Sequence, residues 1–196
     1  MYLFGAGGHG KVIKEILEAQ GAVVEAFIDD DPAISQLDGL PVLHCADGLS
    51  PVIVSVGDNR SRKQIVGRLS CAFGTAIHPS AIVSPSAKIG EGTVVMPGAI
   101  INAGAVIGRH CIVNTGASID HECVLGDYCH IAPHASLCGR IDLGEGVLIG
   151  VGASIIPCVH VGDWAVVGAG SSLIFDLPAG CTAVGVPART VTINGE

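Results

Sequence analysis

The 196-residue sequence predicts an α/β unit built on a small parallel sheet, followed by an all-β solenoid of short strands. Three observations predict it: a six-residue aliphatic period running unbroken from Ile77, alternating strand and helix signals before it, and a composition suited to many equal layers. Apolar residues make up 49% of the chain and charged ones 14%, against a usual ~25%. Glycine supplies 28 residues, roughly twice the average usage. The aromatics are only four Phe, two Tyr and one Trp, so Ile, Val, Leu and Ala must fill the interior.

Residues 1–76 form the first expected domain. Tyr2-Leu3-Phe4 reads as a short apolar strand, Gly5 to Gly10 as a tight loop, and Lys11 to Gln20 as a helix with Val12, Ile13, Ile16 and Leu17 on one face, stopped by Gly21. Val23 to Ile28 is a second strand, ending at Asp29-Asp30-Asp31-Pro32. Val52 to Val56 is a third, leading through Gly57-Asp58-Asn59-Arg60 into a helix from about Ser61 to Leu69. Alternating strands and helices argue for a parallel sheet. Gly5, Gly7 and Gly10 satisfy G-x-G-x-x-G, with Asp29 or Asp30 near the expected distance for a ribose contact. The segment has room for one mononucleotide half, so the domain is half-Rossmann-like. Its loop amides and helix N-terminus suit the phosphate of a nucleotide or nucleotide sugar, with a structural glycine turn as the alternative.

From Ile77 to Leu173, steps of six meet Ile, Val or Leu at every one of seventeen positions. Four residues after each lies a mostly small one, such as Ala99, Ala105, Cys111, Ala117, Cys123 and Cys129. Six is a multiple of the strand period of two and of neither helical period. Short strands joined by tight turns result, with Gly90, Gly108, Gly126, Gly144, Gly150, Gly162 and Gly168 where positive φ or close backbone approach excludes a Cβ. A solenoid domain over 77–177 leaves open ends, and residues 178–196 are expected to cap one of them.

Ten basic against 18 acidic residues give a net charge of −8, which disfavours nucleic acid as a partner. No apolar run approaches a membrane span and the N-terminus carries no signal-peptide pattern, so neither a membrane nor export is expected and the location is read as cytoplasmic. The eight cysteines include no C-x-x-C pair and are read as small reduced residues.

The chemistry concentrates in Asp120-His121-Glu122-Cys123, followed by His130 and His134. Neither His121 nor His130 occupies the inward position of its hexapeptide, so both point outward. A carboxylate beside an imidazole fixes its tautomer and raises its basicity, as a general base requires. His44 and His78 fall in loops without such context.

The repeat resembles the hexapeptide repeat of left-handed parallel β-helices, found mainly in acyl-coenzyme A-dependent acyltransferases. That resemblance implies three hexapeptides per coil, so sixteen from Ile77 to Ser172 would make about five and a third coils, and residues 18 apart would stack. Gly139 would then lie over His121, where its backbone amide could meet a thioester oxygen. The whole layout resembles the sialic-acid-type sugar O-acyltransferase family, especially its bacterial nucleotide-sugar 4-N-acetyltransferases. The resemblance rests on Gly5-Ala6-Gly7-Gly8-His9-Gly10-Lys11-Val12, Phe27-Ile28-Asp29-Asp30-Asp31, Asp120-His121-Glu122-Cys123-Val124-Leu125-Gly126 with His130, and Val184-Gly185-Val186-Pro187-Ala188. It implies His121 as base, Glu122 tuning it, and His130, Gly139, Val151 and Ala169 contacting acetyl-coenzyme A, Ala169 standing where relatives commonly have glycine. Gly8, His9, Gly10, Asp29, Asp30 and Gly57 would hold the nucleotide sugar. It also implies a homotrimer with sites between subunits and no metal. Three other readings stand beside it: a sugar O-acetyltransferase, a zinc carbonic-anhydrase-like β-helix, for which the histidine spacing is wrong, and a non-catalytic binding protein.

Overall fold

The structure, a computed structural model, describes residues 1–191. The first unit runs β1 (Tyr2–Phe4), α1 (Gly8–Ala19), β2 (Ala26–Ile28), β3 (Gln36–Leu37), β4 (Leu40–Leu43), β5 (Val52–Val54) and α2 (Asn59–Arg68). Its sheet has the order β3-β4-β2-β1-β5, parallel except for β3 at the edge. Side chains alternate across the strands. Leu3, Phe27 and Ile53 pack with Ile13, Ile16 and Leu17 of α1, while Phe4, Ile28, Val52 and Val54 face Ile65, Val66 and Leu69 on and just after α2.

Three local features differ from expectation. The second and third strands are shorter than Val23–Ile28 and Val52–Val56. The hairpin β3–β4 is additional; Asp38 and Gly39, with φ of 49° and 79°, form its two-residue turn, as Asp-Gly favours. Helix α1 begins at Gly8, so Gly8, His9 and Gly10 form its first turn instead of a loop. Gly10 permits that early start, since a Cβ there would lie 2.5 Å from the Gly5 carbonyl oxygen.

Seventeen two-residue strands follow at six-residue steps, from β6 (Ala76–Ile77) to β22 (Ser172–Leu173), without insertion. Every third strand joins the same sheet, making three parallel faces. Face one holds β6, β9, β12, β15, β18 and β21; face two runs from β7 to β22 and face three from β8 to β20. Partners are 18 residues apart, as in Ile112↔His130 and His130↔Leu148. The second residue of each strand points inward, and Val95, Val113, Ile131, Ile149 and Val167 are fully buried.

The small-residue position holds thiols for a definite reason. Cys111, Cys123 and Cys129 donate Sγ–H to the carbonyls of Gly126, Cys138 and Gly144 at 3.2, 3.1 and 3.1 Å, as Thr93 Oγ1 does to Gly108 O at 2.8 Å. Burial pushes the Cys123 thiol up. The glycines after the aliphatic positions are fixed by close approach: a Cβ on Gly90, Gly108 or Gly126 would come within 2.7, 2.6 and 2.7 Å of the next coil's backbone. Positive φ falls two residues later, at Glu122 (58°), Tyr128 (63°) and Arg140 (59°) among others.

At the far end β23 (Thr182–Gly185) pairs with β21 and turns back as β24 (Ala188–Val191), burying Ala183 and Ala188 over the last coil. The rest of the expected cap, residues 192–196, lies outside the described residues. The first unit covers face one: the outward Ala76, Val94 and Ile112 share a continuous core with α1. Among the described residues faces two and three carry no such cover, and Ile82 and Val124 are 65% and 47% exposed.

Candidate functional site

Two clusters gather some of the expected residues, His121, Glu122 and Gly139 in one and Gly57 and His130 in the other. The first lies at the corner between faces two and three, where β13 (Ser118–Ile119) turns toward β14 (Val124–Leu125). Coil stacking puts Gly139 against His121 so closely that a Cβ on Gly139 would sit 2.5 Å from Nε2. The absent side chain therefore leaves the imidazole its space. The Gly139 amide itself makes no hydrogen bond among the described residues. On the other side of the ring, Nδ1 lies 3.4 Å from Glu122 Oε2. Asp120 Oδ1 accepts from the His121 amide at 2.7 Å and from Asn102 Nδ2 at 3.0 Å, fixing the backbone beneath the imidazole.

Arg140, one residue past Gly139, was not evident from the sequence as part of this cluster. Its Nε donates to the same Glu122 Oε2 at 2.7 Å and its amide to His121 O at 2.9 Å. The Arg140 hydrogen bond, then that from His121, holds the Glu122 carboxyl below the usual carboxylate range. An ionised Glu122 is an acceptor only, so it favours the tautomer with the proton on Nδ1 and the Nε2 lone pair toward Gly139. The His121 and Glu122 side chains are 53% and 56% exposed, leaving the imidazole open to a ligand at this corner.

The second cluster lies where the first unit meets face one. His130, on β15 (His130–Ile131), points outward from the coil as expected, but it is covered by the loop after β5. That loop contains Gly57, and Asp58 caps α2 by accepting the Ser61 amide at 2.7 Å. Gly57, Asn59, Arg60, His130, Leu148 and Trp164 line a cavity of about 160 Å³. Arg60 lies 4.5 Å over the Trp164 ring. Burial, then Arg62, lowers His130 to about 4, while a backbone hydrogen bond of Gly57 acts in the opposite direction. His9 is lowered to about 4 by the same two causes, and its buried Nε2 has no hydrogen-bond partner among the described residues. His130 is thus not a solvated imidazole.

The remaining residues take separate places. Asp29 Oδ2 accepts from the Ala6 amide at 2.7 Å and Oδ1 from that of Asp31 at 3.0 Å, so this carboxylate also organises the glycine loop. Asp30 pairs with Arg68 on the surface. Val151 and Ala169 stack at the corner between faces one and two, with Val151 O accepting from the Gly170 amide at 2.8 Å. Within one chain, His121 and His130 belong to different parts of the prism. Among the described residues, no group of three or more His, Cys, Asp or Glu could hold a metal ion, and no helix is long and apolar enough to cross a membrane.

Arg62, Asn59 and Asn114 also escaped the sequence reading. One signal pointed to Arg62: it stands in the helical stripe shared by Ile65, Val66 and Leu69, where a charge needs buried partners.

Comparison with known proteins places this architecture among acetyltransferases. Residues 1–69 match the PglD N-terminal domain, and residues 86–121 and 104–139 match the bacterial transferase hexapeptide (six repeats). UDP-N-acetylbacillosamine N-acetyltransferase of Bacillus subtilis is 44% identical over 108 residues, covering 45% of this chain and 47% of that protein; the alignment thus spans about half of the curated relative. A histidine-to-asparagine variant of perosamine N-acetyltransferase from Caulobacter crescentus, in complex with CoA and GDP-perosamine, is 42% identical. It covers 100% of this chain and 96% of its own, with a TM-score of 0.93. The acetyltransferase domain of PglB from Neisseria gonorrhoeae, in complex with acetyl coenzyme A, is 40% identical over 97% of this chain and 98% of its own, with a TM-score of 0.89.

Proposed function

The chain belongs to the hexapeptide-repeat transferases with a PglD N-terminal domain, and from that premise we propose that it transfers the acetyl group of acetyl-coenzyme A to the 4-amino group of a nucleotide-linked amino-deoxysugar. The observation that carries the reading is the His121–Gly139 stack with Glu122 behind it. The amine nitrogen attacks the thioester carbonyl carbon, the C–N bond forms, and His121 Nε2 takes the proton. Glu122 stabilises the resulting imidazolium. The Gly139 amide meets the oxygen on which negative charge develops. As the C–S bond breaks, the proton passes to the departing thiolate, so no covalent enzyme intermediate is required.

His130, Val151 and Ala169 contact the coenzyme, while Gly8, His9, Gly10, Asp29, Asp30 and Gly57 hold the nucleotide sugar. The open first turn of α1 favours the phosphates through its amides, since Gly7 provides no side-chain cap. His121 and His130 lie on different parts of one prism, which supports a site completed by a neighbouring copy in a homotrimer. The uncovered Ile82 and Val124 of faces two and three are consistent with such packing. The setting is cytoplasmic, supplying sugars to a bacterial surface glycan or glycoprotein.

Thiol release from acetyl-coenzyme A across a panel of uridine- and guanosine-linked amino sugars tests the reading. Release that requires a free 4-amino group is expected. Release with hydroxyl sugars alone would make the protein an O-acetyltransferase.

A further inference from the structure

Arg62 is the largest fully buried side chain among the described residues, 1% exposed, and all five of its N–H groups are used. Nε donates to His110 O at 2.8 Å, Nη1 to Val56 O and Gly57 O at 2.9 and 3.1 Å, and Nη2 to Asn59 Oδ1 and Tyr128 O at 2.7 and 2.8 Å. Every acceptor is neutral. Three lie on the loop and helix start after β5; His110 and Tyr128 occupy the same corner of consecutive coils. Asn59 extends the contact to a third coil, donating Nδ2 to Gly146 O at 3.1 Å.

The same loop reaches His130. Asn114 Oδ1 accepts from the Thr115 amide at 2.8 Å, which fixes the orientation of the side-chain amide. Its Nδ2 then donates to His130 Nε2 at 3.0 Å, so the neutral imidazole carries its proton on Nδ1. Gly57, an Arg62 acceptor, provides the backbone group against that ring.

We infer that Arg62 is a positioning residue, whose planar fork locks the Gly57 loop to two consecutive coils of the solenoid, with Asn59 reaching a third, and so holds the nucleotide half of the site in register with the coenzyme wall at His130. The inference rests on the proposed acetyltransferase reading and adds a determinant that acts through Gly57. Lysine keeps the charge but offers three donors at one point, and cannot span these carbonyls.

The test compares Arg62→Lys with the unmodified protein by two measurements. Hydrogen exchange without substrate should accelerate at least tenfold over residues 56–61, while the peptide over 148–155 keeps its protection. Kinetically, KM for the nucleotide amino sugar should rise at least tenfold, with KM for acetyl-coenzyme A changing less than twofold. Asn59→Ala, which leaves the Arg62 charge in place, should show both effects in weaker form and serves if Arg62→Lys does not fold. A lower melting temperature with unchanged loop exchange and an unchanged KM ratio would make Arg62 merely structural and overturn the inference. If the unmodified protein acetylates no nucleotide amino sugar, the acetyltransferase reading fails, and loop exchange alone decides the tether.

Discussion

His121 and His130 are nine residues apart and share almost no physical circumstance. His121 stands half-exposed on a corner, beside the carboxylates of Asp120 and Glu122 and the guanidinium of Arg140. His130 lies under the first unit, among carbonyls and a buried arginine, with His9 and His110 nearby in the same junction. Proton transfer needs a reachable lone pair with a carboxylate behind it, and the corner has both. The junction holds its imidazoles neutral and uses them as fixed hydrogen-bonding and packing groups. One residue type thus meets opposite circumstances, depending on whether solvent and a carboxylate accompany it.

The largest effect should come from removing the exposed ring. His121→Ala is expected to lower turnover by roughly 10²–10⁴ while substrate binding, followed by titration calorimetry, survives. Equal turnover in this variant would move the base elsewhere.

Acid should act on the buried cluster instead. His110, 2% exposed and stacked on Tyr128, is lowered to about 4 by burial first and by Arg109 and Arg62 next. In the unfolded chain it titrates at its ordinary value, so between about 6.5 and 4 the unfolded state binds the extra proton. The stabilisation is present above 6.5 and is lost as pH falls toward 4, amounting to about 3 kcal/mol for His110. His9 and His130 add in the same direction. Urea unfolding at pH 7 and pH 4.5 measures it.

A third test sharpens the corner alone. Gly139→Ala directs a Cβ at Nε2, and kcat should fall by roughly tenfold to a hundredfold with the melting temperature nearly unchanged. The smallest effect belongs to Arg140→Gln. An exposed ion pair contributes little, so the melting temperature should stay within about 2 °C and kcat/KM within about threefold. A hundredfold loss there would place Arg140 in the chemistry.

Much of this was legible because a solenoid repeats one environment. Ile119 and Leu137 meet the same neighbours, so one rule assigns both, and the 18-residue coil stacks Gly139 on His121. The junction was not legible. Arg62 and Asn59 bond mainly to main-chain carbonyls, which every residue offers, so no side-chain pattern reveals their partners. Helix α1 started early for a related reason: low glycine propensity argues against a helical turn at Gly8-His9-Gly10, yet packing on the sheet overrides it. The hairpin β3–β4 had a signal in Asp38-Gly39, but Pro41 in its second strand weakened the strand pattern around it.

The glycines at which successive coils touch have a consequence for growth. Because Gly90, Gly108 and Gly126 keep neighbouring coils in backbone contact, the prism can lengthen or shorten only by whole turns of 18 residues, each worth about 4.8 Å of axis. Adding or deleting a turn beyond Gly139 would alter the length of the prism while leaving the His121 corner unaltered, as a ruler can be extended without moving its zero. The length of the solenoid and the geometry of that corner can therefore vary separately in this architecture.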